Sequence, residues 1–360
     1  MTSPQSRLRR LVVDLNARAR RWALDDASAA RLRDAAPAGW SVEVVRTPAV
    51  SDGDGGAAVA PELAAAVADA EAYFGFGISA ALLDAAPGLR WVQSAAAGVG
   101  SLPRAAMAAR GITLTNAAGV MAIPIAEHVV GGVLHFLRGF DVAAGQQRAG
   151  VWDRAPWVQP VDGGPDARPR ELGECRVVIV GVRGIGAAVA ERCAAFGATC
   201  VGVRRDAGAG VPAGFARIVA TGDLDAVLPG ADVLVLAAPA TTETRGLLDR
   251  RRIGLLPEGA IVVNVGRGSL VDEPALVEAL GGAGDGGGRL RGAVLDVFAE
   301  EPLPAASPLW RLPNVLLTPH VSATSPGRFW SRMLPLFLDN WTRWDRGAPL
   351  VNVVDLEAGY

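Results

Sequence analysis

Three stretches of the 360-residue chain end on side chains that carry chemistry. Ile261-Val-Val-Asn264-Val-Gly266-Arg267 runs from an apolar segment into an arginine. Ala293-Val-Leu-Asp296 leads to a carboxylate and then to Glu300-Glu301-Pro302. Val315-Leu-Leu-Thr318-Pro319-His320 leads to a histidine. The carboxyl ends of strands in open α/β sheets are where ligands bind. A guanidinium clamps a carboxylate through two parallel hydrogen bonds, which suits Arg267 to an anionic substrate. A carboxylate beside an imidazole fixes its tautomer and favours its charged form, giving an acid useful near neutral pH. Brought together, these groups would bind an anion and move a proton. Taken singly, the plainer readings are an arginine capping a strand, a surface glutamate and a packed histidine.

A fourth stretch, Val177-Val-Ile-Val-Gly181-Val-Arg183-Gly184-Ile185-Gly186, reads as a strand, a glycine turn and the start of an Ala-rich helix. A helix N-terminus there offers unpaired N–H groups and the positive end of its dipole to a pyrophosphate. The dinucleotide fingerprint asks for glycine at 181, 183 and 186. Arg183 takes the middle place, with Gly184 beside it, so the guanidinium either crowds the pyrophosphate or points at it. The next apolar run ends in Arg204-Arg205-Asp206. An acidic residue near this point would hold a ribose 2′-hydroxyl, whereas Arg204 suits a 2′-phosphate. NADP(H) is therefore favoured, with NAD(H) possible. An ordinary βα turn and a solvated arginine pair are the plainer alternatives.

The elements that must position these residues follow from the pattern of the chain. Apolar runs at Leu11–Leu15, Val42–Val45, Ala72–Phe76, Val177–Val180, Cys200–Val203, Val233–Ala237, Ala260–Val265 and Gly292–Val297 alternate with Ala-rich segments of helical length. Consecutive apolar positions suit strands covered on both faces, and the alternation predicts α/β architecture with parallel sheets. The Pro/Gly-rich stretch 155–171 reads as a boundary, and 281–288 as a solvated glycine loop rather than a phosphate cradle.

Composition removes whole classes of chemistry. All 35 basic residues are arginine, so no lysine is present for a Schiff base, a P-loop or a kinase site. A net charge of -2 gives no basic field for nucleic acid. The spacing of Cys175, Cys193 and Cys200 is unlike a zinc site or a C-x-x-C motif, and small buried thiols are expected. No metal site is expected, nor a membrane span or signal core. A cytoplasmic location follows as the expectation. His128 and His135 fall on one helical face and read as packing or interface groups, and Trp341 and Trp344 as one buried helix face.

Further stretches carry a family resemblance. Leu89-Arg-Trp-Val-Gln-Ser-Ala-Ala-Ala97-Gly98-Val99 resembles the substrate-carboxylate loop of the D-2-hydroxyacid dehydrogenases. Ile112 to Val120 and Ile123 to His128 resemble the family's hinge and first long helix. Glu171-Leu-Gly173, Pro239-Ala-Thr241-Thr-Glu-Thr244 and the ending from Asn340 to Asp355 fall in the family's order and spacing. The resemblance implies two Rossmann-like or flavodoxin-like α/β domains with parallel sheets and a cleft between them. Residues 1–118 with 321–360 would form a discontinuous substrate-binding domain, and 119–320 the dinucleotide-binding domain. It implies hydride transfer between NAD(P)H and a 2-keto or D-2-hydroxy acid, as in glyoxylate and hydroxypyruvate reductases. Arg267 would bind the substrate, His320 would donate the proton and Glu301 would keep His320 charged. The N–H groups of Ala97 and Gly98 would complete the carboxylate site. Asp296 would hold the carboxamide, and Gly181, Arg183, Gly184, Ile185, Gly186, Arg204, Arg205, Pro239, Thr244 and Val265 would line the cofactor.

Family members pair as homodimers through the dinucleotide domain, so a homodimer is expected. The chain ends at Tyr360 without a regulatory domain, which disfavours an amino-acid-regulated phosphoglycerate dehydrogenase. Two other readings compete. A formate-type enzyme pairs its histidine with glutamine, and Glu301 speaks against it. A non-catalytic, cofactor-sensing protein draws its support from Arg183 alone.

Overall fold

In the computed structural model, residues 8–17, 22–46, 59–158, 169–281 and 288–359 are described. The chain divides into two units, residues 1–121 with 325–360, and residues 122–324.

The first unit is wound around a parallel five-stranded sheet. Its elements are β1 (Arg9–Asp14), α1 (Asp26–Asp34), β2 (Trp40–Val44), α2 (Pro61–Val67), β3 (Ala72–Gly75), α3 (Ala80–Asp84), β4 (Trp91–Ser94), α4 (Arg104–Ala109) and β5 (Thr113–Thr115). The strand order is β2-β1-β3-β4-β5. The C-terminal helix (Pro326–Asp345) returns to cover one face. Phe329, Met333, Phe337 and Trp341 recur every fourth residue and so share one stripe of that helix. Phe337 stacks on Phe74 at 4.1 Å between ring centres and on Trp91 at 5.5 Å. Of the expected tryptophan face, Trp341 is buried, while Trp344 is half-buried and donates its indole N–H to Glu71.

The second unit begins with α5 (Ala122–Leu137), α6 (Phe140–Ala149) and α7 (Ala155–Val158). A seven-stranded sheet follows: β6 (Arg176–Val180), α8 (Ile185–Ala195), β7 (Thr199–Arg204), β8 (Arg217–Ala220), α9 (Leu224–Val227), β9 (Val233–Leu236), α10 (Arg250–Leu255), β10 (Ile261–Asn264), α11 (Glu273–Ala279), β11 (Gly292–Leu295) and β12 (Val315–Leu317). All its pairings are parallel, in the order β12-β11-β10-β9-β6-β7-β8. The register aligns the strand ends: Val180 faces both Val203 and Leu236, Asn264 faces Leu295, and Leu295 faces Leu317. Every loop that leaves the sheet at this edge starts from nearly one level. β9, β10 and β11 are buried along their whole length, as consecutive apolar positions require.

The apolar runs therefore mark eight of the strands, and both sheets are parallel as expected. Of the predicted boundary at 155–171, only its ends are described; residues 159–168 lie outside the described residues. Residues 282–287 of the predicted glycine loop also lie outside them. All three cysteines are buried and unpaired, and burial pushes the Cys175 thiol up to about 11. Among the described residues no helix is long and apolar enough to cross a membrane.

A charged knot ties β1 to the C-terminal helix. Arg9 donates to both carboxylate oxygens of Glu71 at 2.9 and 2.7 Å and to Asp345 at 2.7 Å, and lies 4.2 Å over the Trp40 ring. The Arg9 hydrogen bond holds the Glu71 carboxyl below its ordinary value, against the opposing effect of burial. A depressed folded-state value means stability that is present above the unfolded value and lost as pH falls through the folded one. Glu71→Gln should therefore lower Tm at neutral pH, and the gap to wild type should close below pH about 4. A pH-independent gap in thermal melts would show that packing, not charge, is what the substitution removes.

Candidate active site

The loop after β10 is shaped by a buried amide. Asn264 is 1% exposed; its Oδ1 accepts the Gly266 N–H at 3.1 Å and its Nδ2 donates to the Arg267 carbonyl at 3.0 Å. That double tie presents Arg267 at the surface, where its Nη1 donates to the Gly266 carbonyl at 2.6 Å. The next residue meets the loop after β11. A Cβ at Gly268 would stand 1.8 Å from the Phe298 carbonyl oxygen, so only glycine fits. The contact holds the loop of Arg267 against the loop that leads to Glu301.

Glu301 and His320 form the pair expected of them. Glu301 Oε1 accepts the Phe298 N–H at 3.0 Å, and its Oε2 lies 2.8 Å from His320 Nδ1. Nδ1 is thereby occupied, which leaves Nε2 as the nitrogen available to a ligand. The His320 side chain is 49% exposed. Its backbone is left-handed, with φ 54°; among the described residues only Asn352 shares a positive φ without being glycine. Such a conformation costs a β-carbon-bearing residue about 1–3 kcal/mol and persists only where neighbours enforce it.

Asp296 is that neighbour. Its main-chain carbonyl accepts the His320 N–H at 2.9 Å. Its Oδ1 accepts the Val321 N–H at 2.8 Å, and its Oδ2 the Ser322 N–H at 3.0 Å. Thr318 donates its hydroxyl to Oδ1 at 2.6 Å. Three successive amides from 320 to 322 thus end on one residue that is 1% exposed. The family resemblance assigns Asp296 to the cofactor and gives Thr318 and Asn264 no role.

The glycine turn stands at the end of β6. Gly181 has φ 98°, and a Cβ there would lie 2.7 Å from the Ala237 carbonyl oxygen. A Cβ at Gly186 would lie 1.7 Å from the Gly181 carbonyl oxygen. Gly184, with φ 43°, caps α8. This is a cradle that a β-carbon would fill, opening on a helix N-terminus, and it fits a pyrophosphate. Arg183 and Gly184 are exposed on it and Ile185 is half-buried. At the end of β7, Arg204 donates Nε to the Asp206 carbonyl at 2.5 Å and Nη2 to the Gly210 carbonyl at 2.6 Å. It fastens its own loop while Arg205 stands exposed. After β9, Thr244 donates its hydroxyl to the Pro239 carbonyl at 2.7 Å, and Val265 is buried, its N–H on Leu236.

In the first unit, Ala97 and Gly98 lie exposed on the bend after β4. Ser94 and Asn116 hold that bend: Ala96 N–H donates to Ser94 Oγ at 3.1 Å, and Asn116 Nδ2 donates to the Ala97 carbonyl at 2.8 Å.

Residues 130–322 match the family model of the D-isomer specific 2-hydroxyacid dehydrogenase NAD binding domain. The chain is 32% identical to a glyoxylate reductase of Thermofilum pendens, over 69% of this chain and 70% of that protein. It is 35% identical to glyoxylate/hydroxypyruvate reductase A of Salmonella choleraesuis, over 67% and 70% of the two chains. A D-isomer specific 2-hydroxyacid dehydrogenase of Xanthobacter autotrophicus, solved in complex with NADPH and MES, superposes with a TM-score of 0.75 at 29% identity, covering 98% of this chain and 100% of that one. With the glycine cradle at β6 and the pairing of Glu301 after β11 with His320 after β12, these likenesses place the chain in the D-isomer specific 2-hydroxyacid dehydrogenase family, as an NAD(P)-dependent oxidoreductase of 2-hydroxy and 2-keto acids.

Proposed function

We propose that the protein reduces a small 2-keto acid of the glyoxylate or hydroxypyruvate type, with NADPH as reductant and His320 as proton donor. The observation that carries this reading is the 2.8 Å contact between His320 Nδ1 and Glu301, which leaves Nε2 to face substrate. When bound, the nicotinamide supplies the hydride. The Nε2 proton of His320 goes to the keto oxygen, and Glu301 steadies the ring through Nδ1 and offsets its positive charge. Arg267 keeps guanidinium donors beyond the one spent on Gly266 and takes the substrate carboxylate. The family resemblance assigns the Ala97 and Gly98 amides of the first unit to the same carboxylate.

For the cofactor, Gly181, Arg183, Gly184, Ile185 and Gly186 take the pyrophosphate, Arg204 and Arg205 the 2′-phosphate, and Pro239, Thr244 and Val265 the remainder of the groove. By these roles residues 122–324 are the dinucleotide-binding unit and the remainder the substrate unit. The family's pairing supports a homodimer. Phe140, Val151 and Val158 are exposed, and Trp152 is 92% exposed, a run of apolar side chains that a second copy would cover. Three buried, unpaired cysteines support a reducing, cytoplasmic setting.

Parallel assays of NADPH and NADH oxidation with a panel of 2-keto acids test the reading directly. His320→Ala should cut kcat by about 10²–10⁴-fold with NADPH affinity unchanged; a variant of near-normal rate would remove His320 as the acid. NADPH binding without turnover on any substrate would favour the cofactor-sensing alternative. Arg204→Ala should raise the KM for NADPH by about tenfold or more through loss of a charge-assisted hydrogen bond, and leave that for NADH little changed. Equal weakening of both would confine Arg204 to holding its loop. Trp152→Glu should yield a monomer by light scattering; an unchanged mass would place the interface elsewhere.

A further inference from the structure

α5 rides along β11 in matched steps. Four helical residues advance about 6 Å and two strand residues about 6.6 Å, so every fourth residue of the helix can meet every second residue of the strand. Phe136 lies against Gly292, where an added Cβ would stand 2.9 Å from the ring. Gly132 lies against Val294, where an added Cβ would stand 2.7 Å from Val294 Cγ1. The next step in the series sets His128 level with Asp296, whose carboxylate takes the hydroxyl of Thr318 from the end of β12. There His128 Nε2 lies 3.3 Å from Thr318 Oγ1. The absence of a side chain at Gly132 lets the helix come close enough for this reach.

Proton bookkeeping sets the direction of the chain. A threonine hydroxyl has one hydrogen, and Thr318 gives it to Asp296 Oδ1 at 2.6 Å. Toward His128 the hydroxyl has only lone pairs to offer, so Nε2 carries the hydrogen and donates. Donation runs from His128 to Thr318 to Asp296, and Asp296 accepts in turn the amide N–H groups of His320, Val321 and Ser322.

We propose that His128 is a positioning residue for the reaction: through Thr318 it fixes the Asp296 carboxylate, and with it the left-handed seat of His320. It touches neither substrate nor cofactor in this scheme. The proposal gives His128 a role besides packing or an interface, and separates it from His135, which sits edge-on to the Phe136 ring at 5.0 Å. It rests on His320 being the proton donor.

The test compares variants by NADPH oxidation with glyoxylate or hydroxypyruvate, by NADPH titration and by thermal melting. Misplacement of a catalytic group by about 1 Å lowers turnover by up to about a hundredfold. His128→Leu should lower kcat to that extent, with KM, NADPH affinity and Tm close to wild type. His128→Gln, whose amide keeps a donor at similar reach, should recover most of the rate. Thr318→Val should match His128→Leu, Thr318→Ser should match wild type, and the double variant His128→Leu/Thr318→Val should be no slower than either single one. Wild-type kcat in His128→Leu, alongside an inactive His320→Ala, overturns the relay and leaves the acid in place. An active His320→Ala overturns the acid itself. A loss in His128→Leu that glutamine does not recover, or that falls equally on NADPH affinity, also overturns the relay. If His128→Leu does not fold, the contrast between Thr318→Val and Thr318→Ser decides by the same criteria.

Discussion

A histidine in a left-handed backbone conformation is the constraint that the polar contacts around the candidate site answer. His320 meets Glu301 through Nδ1, and its side chain is half exposed. A φ of 54° turns the side chain that way, a conformation that residues with a β-carbon seldom take and that neighbours here enforce. Asp296 provides the restraint through three amides and a hydroxyl, from a position shielded from water where such bonds are strongest. Its own backbone is fixed as the continuation of β11, a strand buried along its whole length. The geometry at His320 thus draws on the register of the sheet.

The same logic governs the other loops. Asn264, Ser94 and Thr244 each spend a side chain on nearby main-chain groups, so that the residue presented to solvent is a neighbour. Arg204 does this too, despite its charge. The groups that shape these loops are small and inconspicuous beside the charged residues they expose.

Much of this was legible in the sequence. Arg267, Glu301 and His320 stand out because each follows an apolar run, and the glycine turn because strand, turn and helix follow in ten residues. β4 was harder. Trp91-Val-Gln-Ser carries two polar residues that are nevertheless buried, Gln93 being satisfied by Thr115, Asn340 and the Ser94 carbonyl, and polarity conceals the strand. β8 and β12 are edge strands with half-buried side chains and carry a weaker signal. The role of His128 was illegible for a different reason: its partner Thr318 is 190 residues away, and one chain without its fold gives no means of pairing them.

Gly268 sets a limit on how this scaffold can diverge. With a carbonyl oxygen standing where its β-carbon would be, the loop bearing Arg267 and the loop leading to Glu301 are interlocked. Neither can lengthen, shorten or swing without the other moving in step. Change then has little room on these two loops and falls to segments free of that lock, such as the exposed bend at Ala97 and Gly98.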